Sequence, residues 1–245
     1  MKTLNIYLVR HGKVDAPPGL HGQTDVKVTP ADQESIARAW AESGRGVSGI
    51  ISSPLSRCQE LANIIAEQQL LPVMTDESLQ EMAFGDFDGM PFDMLTEQWK
   101  KLDAFWQSPA QHTLPNAESL STFSERICRV WSQIINDIND NLLIVTHGGV
   151  IRMILAHVLE LDWRNPKWYS TLSIGNASVT HVTITIDEQI YASVRSIGVP
   201  LLVYYNYFNK MPKAILLMGI VTEDVSGSPS ARCRKRKLTQ LHKKE

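Results

Sequence analysis

Residues 4–12 read Leu-Asn-Ile-Tyr-Leu-Val-Arg-His-Gly, an apolar run that ends in an arginine, a histidine and a glycine. A short apolar run followed by glycine predicts a buried strand that breaks into a loop. Arg10 and His11 then lie at the carboxyl end of that strand, where open α/β sheets bind ligands. The stretch therefore predicts both a first strand and one side of a ligand site.

A second histidine–glycine pair follows another apolar strand. Residues 142–145 read Leu-Leu-Ile-Val, and residues 146–149 continue as Thr-His-Gly-Gly. If both strands belong to one parallel sheet, His11 and His147 reach the same edge of it. We therefore expect the two histidines to share one site.

Strand-like and helix-like segments alternate along the first 200 residues. We predict strands near residues 4–9, 49–52, 142–145, 179–186 and 191–199, and helices near 30–43, 57–69, 92–105, 119–138 and 150–159. Thr29, followed by a proline, is the predicted N-cap of the first helix. This alternation predicts a layered α/β domain with a largely parallel sheet.

The formal net charge of −2 hides an asymmetry between two parts of the chain. Residues 203–245 contain nine Lys or Arg and three Asp or Glu, a net charge of +6, whereas the preceding residues carry −8. The run 232–237, which is basic apart from Cys233, could bind nucleic acid or anionic lipid, or be a solvated tail. Residues 203–231 are apolar enough that we expect them to dock on the domain or on a partner.

Cysteine usage and hydropathy limit the class of protein. The chain has three cysteines, without Cys-x-x-Cys spacing, which argues against a disulfide framework and against a zinc site. No signal-peptide core is visible, and no stretch reaches the roughly 18 apolar residues of a membrane span. We expect a cytoplasmic protein with no metal, no other cofactor and no membrane partner. We expect no nucleic acid on its core, and the oligomeric state stays open.

Five residues suggest a site for a phosphoryl group: Arg10, His11, Arg57, Glu81 and His147. Converging cationic groups repel each other unless an anion lies between them, and guanidinium forks match phosphoryl oxygens. Arg57 also stands at a helix start, where the helix dipole disfavours a cation, which supports a ligand-binding role. The chain has no P-loop, no Asp-x-Asp-x-Thr loop and no Cys-x5-Arg loop, so other common phosphotransfer designs are missing.

Four segments, in this order and spacing, resemble the histidine phosphatase superfamily. They are residues 8–12 (Leu-Val-Arg-His-Gly), 52–58 (Ser-Ser-Pro-Leu-Ser-Arg-Cys), 79–82 (Leu-Gln-Glu-Met) and 145–149 (Val-Thr-His-Gly-Gly). The resemblance covers roughly residues 3–202 and implies the phosphoglycerate-mutase-like fold: three layers, α/β/α, with a mostly parallel sheet and helices on both faces. It also places a domain boundary near residue 202, with 203–245 as an atypical C-terminal extension.

The resemblance further implies a role for each matched residue. His11 is the nucleophile that becomes phosphohistidine. Arg10, Arg57 and His147 hold the phosphoryl oxygens and stabilise their charge, and Glu81 protonates the leaving alkoxide and then deprotonates the attacking water.

Further residues around this core are binding candidates by the same resemblance. Gly148 lies beside the phosphoryl group, and His21, Gln23 and Thr24 line the substrate mouth. Asp88 is a nearby carboxylate, for which a surface ion pair is a fair interpretation.

Three segments look most like the α-ribazole-5′-phosphate phosphatases of cobalamin synthesis: residues 84–89, 116–120 and 173–178. We therefore predict a metal-independent phosphomonoesterase acting on a small phosphorylated metabolite, with α-ribazole 5′-phosphate first. A phosphoglycerate mutase is an alternative, although this chain lacks long inserts over the site. A broad-specificity sugar-phosphate or phosphohistidine phosphatase is another. A binding scaffold on the same fold is disfavoured, because a binding module needs neither a nucleophile nor an acid.

Overall fold

The computed structural model describes residues 1–202. The expectations for residues 203–245, including the docking of 203–231 and the role of the basic run 232–237, lie outside the described residues and stay predictions.

Within the described residues the chain forms six strands and six helices. The strands are β1 (Lys2–Arg10), β2 (Gly49–Ser52), β3 (Val73–Thr75), β4 (Leu142–Thr146), β5 (Ser178–Ile186) and β6 (Ile190–Pro200). The helices are α1 (Pro30–Glu42), α2 (Ser56–Gln69), α3 (Trp99–Gln107), α4 (Leu120–Asp137), α5 (Gly148–Val158) and α6 (Pro166–Thr171). None of these helices has the length and apolar character needed to cross a membrane.

All six strands form one mixed sheet in the order β3-β2-β4-β1-β5-β6. The pairs β3–β2, β2–β4 and β4–β1 are parallel, whereas β5 runs antiparallel to both β1 and β6. The β5–β6 pair is antiparallel because a connection as short as residues 187–189 can join only antiparallel neighbours. The predicted α/β class is confirmed, and the hairpin makes the sheet less parallel than expected.

Helices cover both faces of this sheet, so the predicted three layers are confirmed. On β1, Leu4, Ile6 and Leu8 pack with α4 and α5 on one face. Tyr7 and Val9 of the same strand pack with α1 and α2 on the other face. Burial on both faces explains why this strand reads as a nearly continuous apolar run.

Three elements differ from the sequence prediction. The helix expected over 92–105 begins at Trp99, because residues 92–94 form a separate 3₁₀ turn. Strand β3 was not predicted, since it has three residues and two of them are exposed on the sheet edge. Helix α6 was not among the predicted helices, although Asn165 followed by Pro166 is an N-cap and first-turn signature.

The predicted N-cap of α1 is confirmed. The Thr29 hydroxyl oxygen accepts a hydrogen bond from the Asp32 backbone N–H at 3.2 Å and donates to the Asp32 carboxylate at 2.9 Å. One of the N–H groups that lack a partner inside the helix is thereby satisfied. This cap fixes the point at which the long loop after β1 ends.

Replacing Thr29 by alanine removes this cap, so we expect Thr29→Ala to lower the free energy of unfolding by about 1 kcal/mol. Thr29→Ser keeps the hydroxyl and should lose much less. Urea denaturation of the three proteins measures the difference. Equal losses in the alanine and serine variants would show that the hydroxyl does not stabilise the helix.

Candidate functional site

The strand ends that carry Arg10 and His147 are neighbours in the sheet. Strands β1 and β4 pair in parallel with Arg10 opposite Thr146, and the His11 backbone N–H donates to the Thr146 carbonyl at 3.1 Å. The imidazole rings of His11 and His147 lie edge to face with centroids 5.2 Å apart. The structure therefore brings the two predicted histidines together at one edge of the sheet.

His11 is buried and neutral, with one ring nitrogen held by the backbone. Its Nδ1 lies 2.7 Å from the Gly12 carbonyl oxygen, which can only accept, so Nδ1 carries the proton. Burial, and then the charges of Arg57 and Arg10, lower the pKa of His11 well below its ordinary value. The lone pair of Nε2 is left for a ligand or an electrophile.

His147 is fully buried and has protein partners on both nitrogens. Its Nδ1 accepts from the Nε of Arg57 at 3.2 Å, so its Nε2 is the donor toward the Ser53 hydroxyl at 2.8 Å. Burial, and then the neighbouring His11 and Arg57, lower the pKa of His147 well below its ordinary value. To bind a phosphoryl oxygen, His147 would have to exchange its bond to Ser53 for one to the ligand.

Arg10 presents a buried donor that has no partner among the described residues. Its terminal nitrogen donates to the Ile174 carbonyl, but its Nε–H makes no hydrogen bond there. Gly148 packs closely against the guanidinium, since a Cβ at that position would lie 3.3 Å from Arg10 Cζ. An unsatisfied buried N–H is costly, and an anion would satisfy it with a charge-assisted bond.

Arg57 is fully buried and is held mainly by the loop that was predicted to line the substrate mouth, residues 21–24, here the mouth loop. It donates to the backbone carbonyls of Thr24 (2.9 Å), His21 (3.2 Å) and Gly22. With the bond to His147, four of its five N–H groups have protein acceptors. Arg57 therefore fixes the mouth loop and retains one N–H for a ligand.

The side chain of Asp88 binds the backbone N–H groups of the same loop. Its carboxylate accepts from the backbone of Gly22 (3.0 Å), Gln23 (2.8 Å), Thr24 (3.1 Å) and Phe84 (3.1 Å). Burial alone would raise the pKa of Asp88, but these hydrogen bonds lower it below its ordinary value. The interpretation of Asp88 as a surface ion pair is wrong, because it is a structural anchor of the mouth loop.

The three predicted mouth side chains lie on this anchored loop. Gln23 and Thr24 are exposed and His21 is half-buried, with its Nε2 3.0 Å from the Pro17 carbonyl oxygen. The structure thus places the loop beside Arg57, and substrate contact by these three side chains stays a prediction.

Glu81 lies two residues after the 3₁₀ turn Glu77–Leu79, and its carboxylate contacts the N-terminus of α5. Its carboxylate accepts from the Met82 N–H at 3.0 Å and from the Gly149 N–H at 2.9 Å. A Cβ on Gly149 would lie 2.2 Å from a Glu81 oxygen, so only glycine allows this approach. The helix dipole favours a carboxylate at this end.

Two other kinds of site, one with a cysteine thiolate nucleophile and one with a metal ion held by protein side chains, find little support among the described residues. Cys58 lies 3.6 Å from the Nε2 of His147, but burial raises its pKa far above the ordinary thiol value, so it is not a thiolate nucleophile. Within residues 1–202, no group of three or more His, Cys, Asp or Glu side chains could hold a metal ion.

Comparison with known proteins identifies similar chains. The sequence profile of the histidine phosphatase superfamily (branch 1) matches residues 6–196. "Putative phosphoserine phosphatase 2" of Hydrogenobacter thermophilus is 30% identical over 72% of this chain and 88% of its own length. "Probable phosphoglycerate mutase GpmB" of Yersinia pestis is 31% identical over 73% and 84%. The structure of the alpha-ribazole phosphatase from Shigella flexneri superposes with a TM-score of 0.65 at 22% identity, covering 80% of this chain and 96% of its own.

The neutral, buried state of His11 and His147 predicts a pH-dependent stability. Both residues have a folded-state pKa below the unfolded value of about 6.5, so the unfolded chain binds more protons as the pH falls. The free energy of unfolding should therefore fall below pH 6.5, by up to about 1.4 kcal/mol per pH unit for each histidine. Urea denaturation between pH 7.5 and 5.5 measures this slope.

A matched pair of variants distinguishes the contribution of the buried histidines to this pH dependence from that of the other ionisable groups. His11→Gln removes one buried histidine and should roughly halve their joint contribution to the slope. His112→Gln, at an exposed position, should leave the slope as it is. If the pH dependence of the free energy of unfolding were the same in the His11→Gln protein, its assignment to His11 would be contradicted.

Proposed function

The chain belongs to branch 1 of the histidine phosphatase superfamily, and from this premise we propose that it hydrolyses a small phosphorylated metabolite through a phosphohistidine at His11. The chain is a phosphomonoesterase, as relatives named phosphatases are. One observation carries the proposed mechanism: His11 is neutral, its Nδ1 is fixed by the Gly12 carbonyl, and its Nε2 lone pair has no hydrogen-bond partner within residues 1–202.

The proposed reaction has two displacements at phosphorus. In the first, Nε2 of His11 forms a bond to phosphorus while the bond to the leaving oxygen breaks, and Glu81 gives that oxygen a proton. In the second, Glu81 takes a proton from water, whose oxygen attacks phosphorus and releases inorganic phosphate from His11. Atoms and protons balance without a metal ion or other cofactor.

Fixed donors around His11 support this chemistry. The Nε–H of Arg10 lacks a partner among the described residues, and Arg57 retains one N–H. These groups, with Gly148 and His147, are the proposed donors to the phosphoryl oxygens. The two guanidinium groups are held by protein carbonyls and need little reorganisation as charge develops, whereas His147 must first exchange its bond to Ser53 for one to the ligand.

For the substrate we propose α-ribazole 5′-phosphate, on the likeness of residues 84–89, 116–120 and 173–178 to phosphatases that act on it. All three segments have bonds near the site or to each other: Asn176 donates to the carbonyls of His11 and Gly12, and Asn116 donates to Asp86. Cytoplasmic location and a part in cobalamin assembly belong to the same proposal.

Acidic phosphomonoesters are the second candidate substrates. The relatives at 30% and 31% identity are named as a phosphoserine phosphatase and a phosphoglycerate mutase, whose names imply substrates that carry a carboxylate beside the phosphate. Because one of these relatives is named as a mutase, transfer of the phosphoryl group to a second hydroxyl is the alternative to hydrolysis.

Phosphate release from a panel of phosphomonoesters, without added metal and with a chelator, tests the proposal. We expect release that resists the chelator and is fastest with α-ribazole 5′-phosphate, compared with phosphoserine, 3-phosphoglycerate, sugar phosphates and 4-nitrophenyl phosphate. His11→Ala should abolish release, and alkaline quenching should trap a phosphoenzyme only in the unsubstituted protein. Release that persists undiminished in His11→Ala, or that requires a metal, would contradict the mechanism.

The glycine that contacts Glu81 gives a second test. Gly149→Ala places a methyl group against the Glu81 carboxylate and should displace it, which we expect to lower kcat about tenfold or more while the protein stays folded. Gly46→Ala is the control, because an added Cβ there meets nothing within 4 Å. Full activity in Gly149→Ala would argue against Glu81 as the proton donor.

A further inference from the structure

Arg126 and Glu118 form a half-buried ion pair behind Glu81, and we propose that this pair is a positioning device for the acid. The inference rests on the proposed function, because it requires Glu81 to protonate the leaving group. Neither partner of the pair is needed to touch substrate. Their proposed task is to fix the backbone around Glu81 so that its carboxylate reaches the leaving oxygen.

The pair itself is tightly built. Arg126, on α4, donates its Nε–H to one oxygen of Glu118 at 3.0 Å and a terminal N–H to the other at 2.7 Å. The two side chains are 20% and 12% exposed. A two-point guanidinium–carboxylate pair that is mostly shielded from water holds one geometry, unlike an exposed pair.

The remaining donors of Arg126 bind the segment that leads into Glu81. Its other terminal nitrogen donates to the carbonyls of Ser78 (2.8 Å) and Gln80 (3.0 Å), and a longer contact of 3.5 Å reaches the carbonyl of Glu81 itself. One guanidinium therefore ties three backbone carbonyls between residues 78 and 81 to helix α4.

Glu118 binds the chain on the other side of Glu81. Its backbone N–H donates to the Ala83 carbonyl at 3.0 Å, and its carboxylate lies 3.4 Å from the Ala83 N–H. The pair thus anchors the backbone both before and after the acid. The carboxylate of Glu81 is separately fixed by the N–H of Gly149 on α5.

These contacts make the position of the Glu81 carboxylate depend on two helices. Its backbone is anchored to α4 through Arg126 and to the start of α4 through Glu118, and one of its carboxylate oxygens is anchored to α5. Loss of the first anchor leaves the backbone free to move while the site around His11 stays intact. A misplaced general acid loses efficiency because proton transfer needs the acid within hydrogen-bond reach of the leaving oxygen.

The identity of the leaving group distinguishes this role from a general structural one. An alkyl phosphate expels a strongly basic alkoxide and needs a proton from Glu81, whereas 4-nitrophenolate is stable enough to leave without one. Damage to the position of Glu81 should therefore slow the first displacement, the transfer of the phosphoryl group to His11, much more for an alkyl phosphate than for 4-nitrophenyl phosphate. A general loss of structure should slow both to the same extent.

The test compares kcat/KM on an alkyl phosphate and on 4-nitrophenyl phosphate for Arg126→Gln, Glu81→Gln and the control Arg129→Gln, because kcat/KM reports the first displacement and leaves out the hydrolysis of phosphohistidine that both substrates share. Arg129 is exposed on the same helix and should change neither rate. We expect Arg126→Gln to lose about tenfold or more on the alkyl phosphate with little loss on the aryl one, in the direction set by Glu81→Gln. If Arg126→Gln does not fold, Glu118→Gln, which preserves the shape of the pair, takes its place.

Each other outcome overturns the inference. Equal loss on both substrates in the Arg126 variant, with selective loss in Glu81→Gln, would mean that the pair is structural only. No loss in the Arg126 variant would mean that Glu81 keeps its position without the pair. No selectivity in Glu81→Gln itself would remove the acid role, and both the proposed function of Glu81 and this inference would fail.

Discussion

The in-register parallel pairing of β1 with β4 is the contact on which the site depends. It sets Arg10 opposite Thr146, so the residues that follow, His11 and His147, leave the sheet at the same level. Side chains alternate between the faces of a strand, and a slip of one residue in this register would turn either partner to the opposite face. The apolar layers on both faces of the sheet hold the register, and the site is therefore a consequence of core packing.

The site concentrates positive charge while keeping its histidines neutral. Arg57 is buried and Arg10 is half-buried, neither has a carboxylate salt bridge among the described residues, and burial followed by their charges lowers the pKa of His11. The same field that favours an anion thus preserves the lone pair of the imidazole. Asp88 and Arg57 together hold the mouth loop. The Asp88 carboxylate binds the backbone N–H groups of the loop, and the Arg57 guanidinium binds its backbone carbonyls.

The sequence predicted those parts of the fold that have a local signal. Strands β1 and β4 have apolar runs that end in polar residues, and Thr29 followed by a proline indicates the N-cap of α1. Resemblance added Glu81, which has no local pattern of its own. The anchoring roles of Asp88 and Arg126 were not predicted, because each binds the backbone of a segment far away in sequence. Such bonds depend on loop geometry, which leaves no periodicity in the residues that make them.

The backbone of His11 has a consequence for how the domain opens. Its N–H donates to the carbonyl of Thr146, the last residue of β4. Its carbonyl accepts from the N–H of Ala177, the residue before β5, so the His11 backbone bridges these two segments. Hydrogen exchange at this amide requires the end of β4 to part from the residue that follows β1, so it reports the opening of the sheet edge at the site. The backbone of the proposed nucleophile is therefore held by other backbone segments, whereas the mouth loop is held by the side chains of Arg57 and Asp88. A side-chain substitution can thus release the entrance, but it leaves the two backbone hydrogen bonds of His11 in place.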